Sequence, residues 1–203
     1  MSRAEWGGVV VRTAVAWAIL TVAGLFWGRG LVELLAPLLS IVADAIDSAY
    51  LPILDVRDMT DGLQLFMTAH VLHPLWVHDG LTLNPGATMT AGVSVLHILV
   101  PLVIQFTALW AWPASGWRER LLFVASGLPM ALLVLSLTIP FLLAGKIDML
   151  LIDYAAQGGE IRNHTLLLNW MIFGESGAIW LIPLIAATLC VTAVRSAERN
   201  REA

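Results

Sequence analysis

The chain has little charge and almost no cysteine, and each shortage excludes a class of protein. Only 13% of its 203 residues are charged, whereas soluble domains carry about 25%. The single cysteine, Cys190, excludes an internal disulfide and a cysteine-based zinc cage. A net charge of −4, without any basic run, gives no reason to expect nucleic-acid binding.

The N-terminal region lacks a short apolar core followed by a small-residue cleavage site, so we expect a retained anchor. Hydrophobic residues, in contrast, make up 59% of the chain. They gather in four long stretches, at residues 9–50, 90–112, 121–144 and 165–194. One crossing of a bilayer takes about 20 apolar residues. We therefore predict an integral membrane protein of the α-helical class with four transmembrane helices.

The first stretch is longer than one crossing needs. Residues 9–27 form a clean span, but residues 31–49 contain Glu33, Asp44 and Asp47. Burying these carboxylates in lipid would be costly, and a second crossing would place the termini on opposite sides of the membrane. We therefore predict one crossing, continued by an amphipathic helix at or above the outer surface. A second crossing is the alternative.

Arginine placement predicts the orientation of the helices. The larger set of basic residues comprises Arg3, Arg12, Arg118, Arg120, Arg195, Arg199 and Arg201. The smaller set comprises Arg57, Lys146 and Arg162, and Arg29 is ambiguous. Because cytoplasmic loops carry the excess of Lys and Arg, both termini are predicted to be cytoplasmic. Residues 51–89 and 145–164 then lie outside, and we expect the membrane to be a bacterial inner membrane.

Residues 51–89 have a different residue pattern from the apolar stretches. Apolar and polar residues alternate on both sides of Asp61-Gly62, and a shorter alternation flanks Asp79-Gly80. Asp-Gly suits a type I′ turn, so we predict two β-hairpins in one four-stranded antiparallel sheet with an apolar face. That face should pack on the 31–49 helix, the bilayer surface or another protein, because an isolated hairpin is marginal in water. Asn84-Pro85-Gly86 then leads into the second span.

Histidines are the candidate ligands for a metal ion or haem: His70, His73, His78, His97 and His164. Haem held between helices needs two histidines at matched depths. His97 is predicted to lie one or two turns inside the second span, with no other histidine at that depth. We therefore predict no metal and no cofactor, and keep a histidine-ligated metal or haem subunit as the alternative function.

Glu175, between Gly174 and Gly177, is the polar residue of the fourth span that stands out, because lipid makes such residues costly. We expect it to mark a helix contact, within the chain or with a partner subunit. A transport pathway would need several facing carboxylates, or broken helices in repeated halves. Neither is evident, so a small transporter component is a second alternative.

One part of the sequence is similar to a known group of membrane proteins. It comprises Leu81-Thr82-Leu83-Asn84-Pro85, then Thr90-Ala91-Gly92 and an apolar span with Pro101. With its layout of one anchor, a β-rich outer segment and three closely spaced spans, the chain resembles the small membrane proteins that accompany exosortases, of the exosortase H-associated type. The resemblance implies an accessory of a protein-sorting system. No outer cysteine is available beside a histidine and an arginine, so the chain would not be the exosortase itself.

We therefore predict a non-enzymatic accessory protein with three parts: residues 1–50 (first helix and its extension), 51–89 (outer β segment) and 90–203 (three further helices and a cytoplasmic tail). It would dock a membrane-protein partner, such as an exosortase, through the apolar hairpin face and the 31–49 helix. On that helix Leu34, Leu38 and Ile41 share a face at helical spacing. The partner-binding candidates are Phe66, Trp76, Asn84, Pro85 and Glu175.

Overall fold

The computed structural model describes residues 3–60, 62–78, 81–160, 163 and 165–202. Its helices are α1 (Arg3–Ile46), α2 (Leu96–Ala111), α3 (Trp117–Gln157), α4 (Leu166–Phe173) and α5 (Ile179–Glu202), with a π-helical segment at Gly174–Ala178. The strands are β1 (Tyr50–Met59), β2 (Gly62–Val71), β3 (Leu75–His78), β4 (Leu81–Leu83) and β5 (Thr88–Ser94). The fold is mostly helical, with antiparallel strands between α1 and α2, as the sequence predicts.

Within the described residues, three helical stretches are long and apolar enough to cross a membrane: Trp6–Ile46, Trp117–Gln157 and Leu166–Asn200. These are the features of a multi-pass integral membrane protein. The remaining apolar helix, α2, has 16 residues and measures about 24 Å at 1.5 Å per residue. It is shorter than the predicted span at 90–112, because the first residues of that stretch belong to strand β5.

α1 is a single helix of 44 residues, and its length of about 66 Å is roughly twice the hydrocarbon core. The predicted helical extension of the first span is therefore present, and it joins the span without a break through Ile46. α3 is similarly long, at 41 residues. It continues through residues 145–157, which belong to the segment 145–164 that is predicted to lie outside the membrane.

The strands form two sheets and not one. β2 is the central strand of a three-stranded sheet in the order β1-β2-β5, while β3 and β4 form a separate pair. Both predicted hairpins are present, but the prediction of a single four-stranded sheet is wrong. β5 pairs with β2 from Gln64↔Ser94 to His70↔Thr88 and so takes the edge that the second hairpin would need.

The predicted turns are only partly within the described residues. Gly62 has a φ of 115°, which suits glycine and fits the predicted tight turn between β1 and β2. Asp61, and the Asp79-Gly80 turn of the second hairpin, lie outside the described residues. Asn84-Pro85-Gly86 does not lead directly into α2; Ala87 N donates to Asn84 O at 3.0 Å, and the chain returns into β5.

The three-stranded sheet buries one face within the protein's own fold. Alternate residues of β2 and β5 are buried on that face: Leu65, Met67, Ala69, Val71, Met89, Ala91 and Val93. This period of two is the mark of a half-buried sheet. Because the apolar face is already covered, it is not the docking surface that the sequence suggested.

The chain divides into two compact units, described here in turn. The first takes α1 as far as Gly28, then Leu96–Leu135, then the chain from Ile179 onward. Gly24 and Gly28 are four residues apart and lie against Leu99 of α2, in the small-residue spacing that lets membrane helices approach. Cys190 is buried among Leu109, Phe123, Ala187 and Val191. In this environment Cys190 acts as a small apolar packing residue.

The second unit comprises Arg29–Val95 and Ser136–Ala178. Gly145 of α3 lies so close to α4 that an added Cβ would stand 2.7 Å from the carbonyl oxygen of Leu167. Thr165 caps α4 by accepting a hydrogen bond from Leu168 N at 3.1 Å, and its hydroxyl also donates to Asp148. This unit contains the candidate functional surfaces of the chain.

Candidate functional site

The C-terminal part of α1 carries two apolar stripes. One faces inward, with Val32, Leu35, Leu39 and Ala43 buried. The other is formed by Leu31, Leu34, Leu38 and Ile41, all exposed, and is called the α1 stripe below. Leu34 is 76% exposed and Ile41 69% exposed. The helix thus packs one apolar face against the rest of the protein and leaves a second apolar face uncovered.

The helix that carries the α1 stripe is tied to strand β1. Arg29 donates to Glu33 on its own helix and to Asp58 at the end of β1, both at 2.8 Å. Further along, Ser40 donates to the carbonyl oxygen of Pro52 at 3.0 Å. These contacts link α1 to the sheet edge at two levels, so the stripe is presented on a supported helix.

Phe66, one of the predicted partner-binding residues, is engaged within the sheet. Its ring packs over Gly92 of the neighbouring strand, where an added Cβ would come within 2.8 Å of it. The Arg57 guanidinium lies 5.0 Å from the ring centroid on the β1 side, and Arg57 also pairs with Asp55 at 2.5 Å. Phe66 therefore packs mainly within the sheet, and only part of its surface is accessible to a partner.

The other β-segment candidates are more accessible. Trp76 of β3 is 58% exposed, a large fraction for an aromatic side chain. Asn84 and Pro85 are exposed in the turn that follows β4. All three remain predictions as partner contacts, since exposure alone assigns no partner.

Glu175 pairs with Lys146 of α3, with 3.5 Å between the carboxylate oxygen and Nζ. It lies in the π-helical segment, where Gly177 has a φ of 119° and interrupts the helix. This ion pair is the contact within the chain that the sequence left open for Glu175. The sequence carried no signal for Lys146, because the pairing depends on how α3 approaches the interrupted helix.

The Lys146–Glu175 pair borders an open cavity of about 300 Å³. Its other lining residues are Thr90, Ala91, Met149, Leu150, Asp153 and Met171. Apolar side chains from α3 and α4 thus meet two residues of β5. The sequence does not predict this cavity, since residues 90–94 of β5 belong to the predicted transmembrane span at 90–112.

Tyr50, the first residue of β1, is buried in the second unit. Burial raises the pKa of its hydroxyl, and the carboxylates of Asp47 and Asp148 raise it further. The phenol therefore stays neutral at physiological pH and acts as a packing residue.

The histidines do not form a described metal centre. His70 is half-buried on β2, whereas His73 and His97 are exposed. His97 is the second residue of α2 and not one or two turns inside it, because β5 occupies the preceding residues. The side chain of His78, and the whole of His164, lie outside the described residues. Among the side chains that the structure describes, no group of three His, Cys, Asp or Glu is placed to hold a metal ion.

Comparison of the chain with protein-family models, curated proteins and solved structures finds no match. The candidate binding features of the chain are the α1 stripe, the exposed β-segment residues and the cavity beside β5.

Proposed function

We propose that this protein is a non-enzymatic accessory membrane protein that docks a partner membrane protein on the outer side of the membrane. The observation that carries the proposal is the α1 stripe, Leu31, Leu34, Leu38 and Ile41, exposed on a helix that already buries a separate apolar face. Exposed apolar patches of this kind mark interaction sites.

The proposed placement in the membrane puts this stripe beyond the hydrocarbon. If residues 9–27 fill the core, Ile41 stands about 21 Å above the end of that span at 1.5 Å per residue. Leu38 stands about 16 Å above the same point, so lipid tails do not cover the outer part of the stripe and another protein is its expected cover. In this arrangement α2 makes the fourth crossing, both termini are cytoplasmic and the β segment is outside, in a bacterial inner membrane.

The partner surface that fits the stripe is a helix. Leu31, Leu34, Leu38 and Ile41 are spaced at three and four residues, the spacing with which one helix packs its apolar seam against another. The similarity to exosortase-associated proteins around residues 81–101 makes an exosortase-type sorting enzyme the proposed partner. Trp76, Asn84 and Pro85 are the β-segment residues proposed to extend the contact.

Site-specific photocrosslinking in native membranes tests the docking. A photoreactive amino acid at Leu34 or Ile41 is expected to give a discrete adduct with a second membrane protein. The matched control is Leu25, which is 71% exposed on the same helix but lies within the proposed lipid-embedded part. It should give mainly lipid adducts.

A substitution completes the test. Leu34→Asp keeps the buried stripe of α1 intact and should abolish the adduct formed from Ile41, because a carboxylate cannot be buried against an apolar helix. Lipid and self adducts alone from Leu34 and Ile41 would contradict the proposal, as would an Ile41 adduct that Leu34→Asp leaves unchanged.

A further inference from the structure

The hydrogen-bond pattern of the three-stranded sheet shows which backbone groups face outward. Leu72 N donates to Ala49 O, so odd-numbered residues of β1 face β2 and even-numbered residues face away. On the other side, Val71 N donates to Ala87 O, and Val95 N to Leu63 O. The alternation of an antiparallel ladder then turns the N–H and C=O groups of Thr88, Thr90 and Gly92 away from β2.

The β1 edge is protected. Its outward-facing residues include Pro52, which has no N–H to offer and whose carbonyl accepts from Ser40 of α1. Asp58, at the end of the same edge, is held by Arg29. A proline, a covering helix and charged side chains are the means by which proteins block unwanted strand addition.

From Thr88 to Gly92, the β5 edge has none of these protections within the part of the chain that the structure describes. Among the described residues, no hydrogen bond from elsewhere in the chain reaches the outward backbone groups of Thr88, Thr90 or Gly92. Thr88 and Thr90 are exposed. The strand contains neither proline nor a charged residue. It is therefore a competent template for one more strand.

The cavity of about 300 Å³ lies along this edge. Thr90 and Ala91 both line it, and consecutive strand residues point to opposite faces of a sheet. A cavity that touches both must follow the strand's edge and not one face. Met149, Leu150 and Met171 form its apolar wall, and methionine side chains adapt readily to different ligands.

We propose that the β5 edge binds an extended peptide segment of a partner protein by strand addition. Thr88, Thr90 and Gly92 would bond to the peptide backbone, and the apolar wall would take one of its side chains. The proposal deepens the proposed function, because it needs the same outer placement of the sheet, but it does not use the α1 stripe. A lipid tail has no donor or acceptor that could form hydrogen bonds with these backbone groups, so lipid is excluded as the ligand of this edge.

Charge complementarity defines the peptide further. Lys146 and Glu175 satisfy each other at 3.5 Å, whereas Asp153, on the same cavity, has no ion-pair partner among the described residues. Of the three charged residues that line the cavity in the described part of the chain, Asp153 is the one that the Lys146–Glu175 pair leaves unbalanced. The expected segment is extended, with an apolar side chain for the Met149 wall and a Lys or Arg near Asp153.

The test uses the full-length protein in lipid nanodiscs and a phage-displayed library of random peptides as the probe. Peptides that carry a basic residue beside apolar ones are expected to be enriched over empty nanodiscs. The selected peptide is then synthesised, and its affinity is measured for the wild type and for Thr90→Pro. Proline removes one outward N–H, a change that edge strands tolerate, and should weaken binding about tenfold.

Two matched controls separate strand addition from loss of the fold. Thr90→Val keeps the amide and the strand propensity, so its affinity should stay close to that of the wild type. Asp153→Asn should lower the affinity for peptides that carry a basic residue. It should leave unchanged the affinity for peptides in which glutamine replaces that residue. Hydrogen exchange should show that the peptide protects the amides of Thr88, Thr90 and Gly92, while those of Met89 and Ala91 are protected before it is added.

Three results would overturn the proposal. The first is the absence of peptides enriched over empty nanodiscs. The second is equal affinity of the selected peptide for the wild type and Thr90→Pro. The third is a concentration-dependent dimer that Thr90→Pro abolishes, which would make a second copy of the chain the occupant. None of these results bears on the photocrosslinks from Leu34 and Ile41, so the two proposals fail separately.

Discussion

At Gly145 a single hydrogen atom in place of a side chain lets α4 lie against α3. A Cβ built at this position would stand 2.6 Å from Met171 Cβ and 2.7 Å from Leu167 O. The second of these is a backbone atom of a helix, so it cannot rotate away. Small residues serve this purpose in membrane proteins, where close backbone approach replaces the hydrophobic effect as a source of packing energy.

Gly145→Ala is expected to destabilise the protein by about 1–3 kcal/mol, because the added methyl group forces the helices apart. Thermal unfolding in detergent measures the change. Gly30→Ala is the control, since nothing lies within 4 Å of the corresponding Cβ position. Equal melting temperatures for Gly145→Ala and the wild type would contradict the close packing.

Tyr50 gives a residue-scale prediction about pH. Its pKa is raised by burial and by Asp47 and Asp148, from about 10 in the unfolded chain. The contribution of the neutral phenol to stability is therefore complete below pH about 10 and is lost as the pH rises toward the folded-state value. Tyr50→Phe should flatten this alkaline loss of melting temperature, whereas Tyr154→Phe, at an exposed position, should not. Identical alkaline profiles for the wild type and Tyr50→Phe would contradict it.

At the scale of elements, β5 is where sequence and structure differ most. Thr88 to Ser94 alternate between exposed and buried positions, a period of two that the printed sequence already contains. Because Val93 and Val95 are continuous with the apolar run of α2, the sequence predicts a membrane span from residue 90, which includes most of this strand. Pairing with β2, a contact between residues distant in sequence, is what made it a strand.

The central strand β2 allows a paired test of the sheet. Met67 is fully buried, and Thr68 is half-buried on the opposite face. Met67→Ala should cost about 2–5 kcal/mol, as for other buried large-to-small changes. Thr68→Ala should cost much less. Thermal unfolding and protease protection of the β segment measure the difference, and equal losses for the two variants would show that the assignment of faces is wrong.

At the scale of the whole molecule, the proposed docking depends on the side of the membrane that the β segment occupies. The arginine distribution supports cytoplasmic termini, and the three long apolar helices supply crossings. The proposed orientation requires a fourth crossing, and the proposal assigns it to α2 with its 16 residues.

Cysteine labelling tests this orientation. Trp76→Cys should react with a membrane-impermeant maleimide in cells whose outer membrane has been permeabilised, and Ser196→Cys only after lysis. The wild type is the control, because its Cys190 is buried and should stay unlabelled. Labelling of Ser196→Cys but not Trp76→Cys before lysis would place the β segment in the cytosol and remove both proposals.

The sequence predicted the features that depend on neighbours along the chain: the apolar lengths, the two hairpins and the helical run past residue 31. It also identified Leu34, Leu38 and Ile41 as one face, since helical spacing is local. The Lys146–Glu175 pair, the cover on the β1 edge and the open edge of β5 came only from the folded chain. Each of these depends on which distant segment lies beside which, and no local pattern of residues encodes that choice.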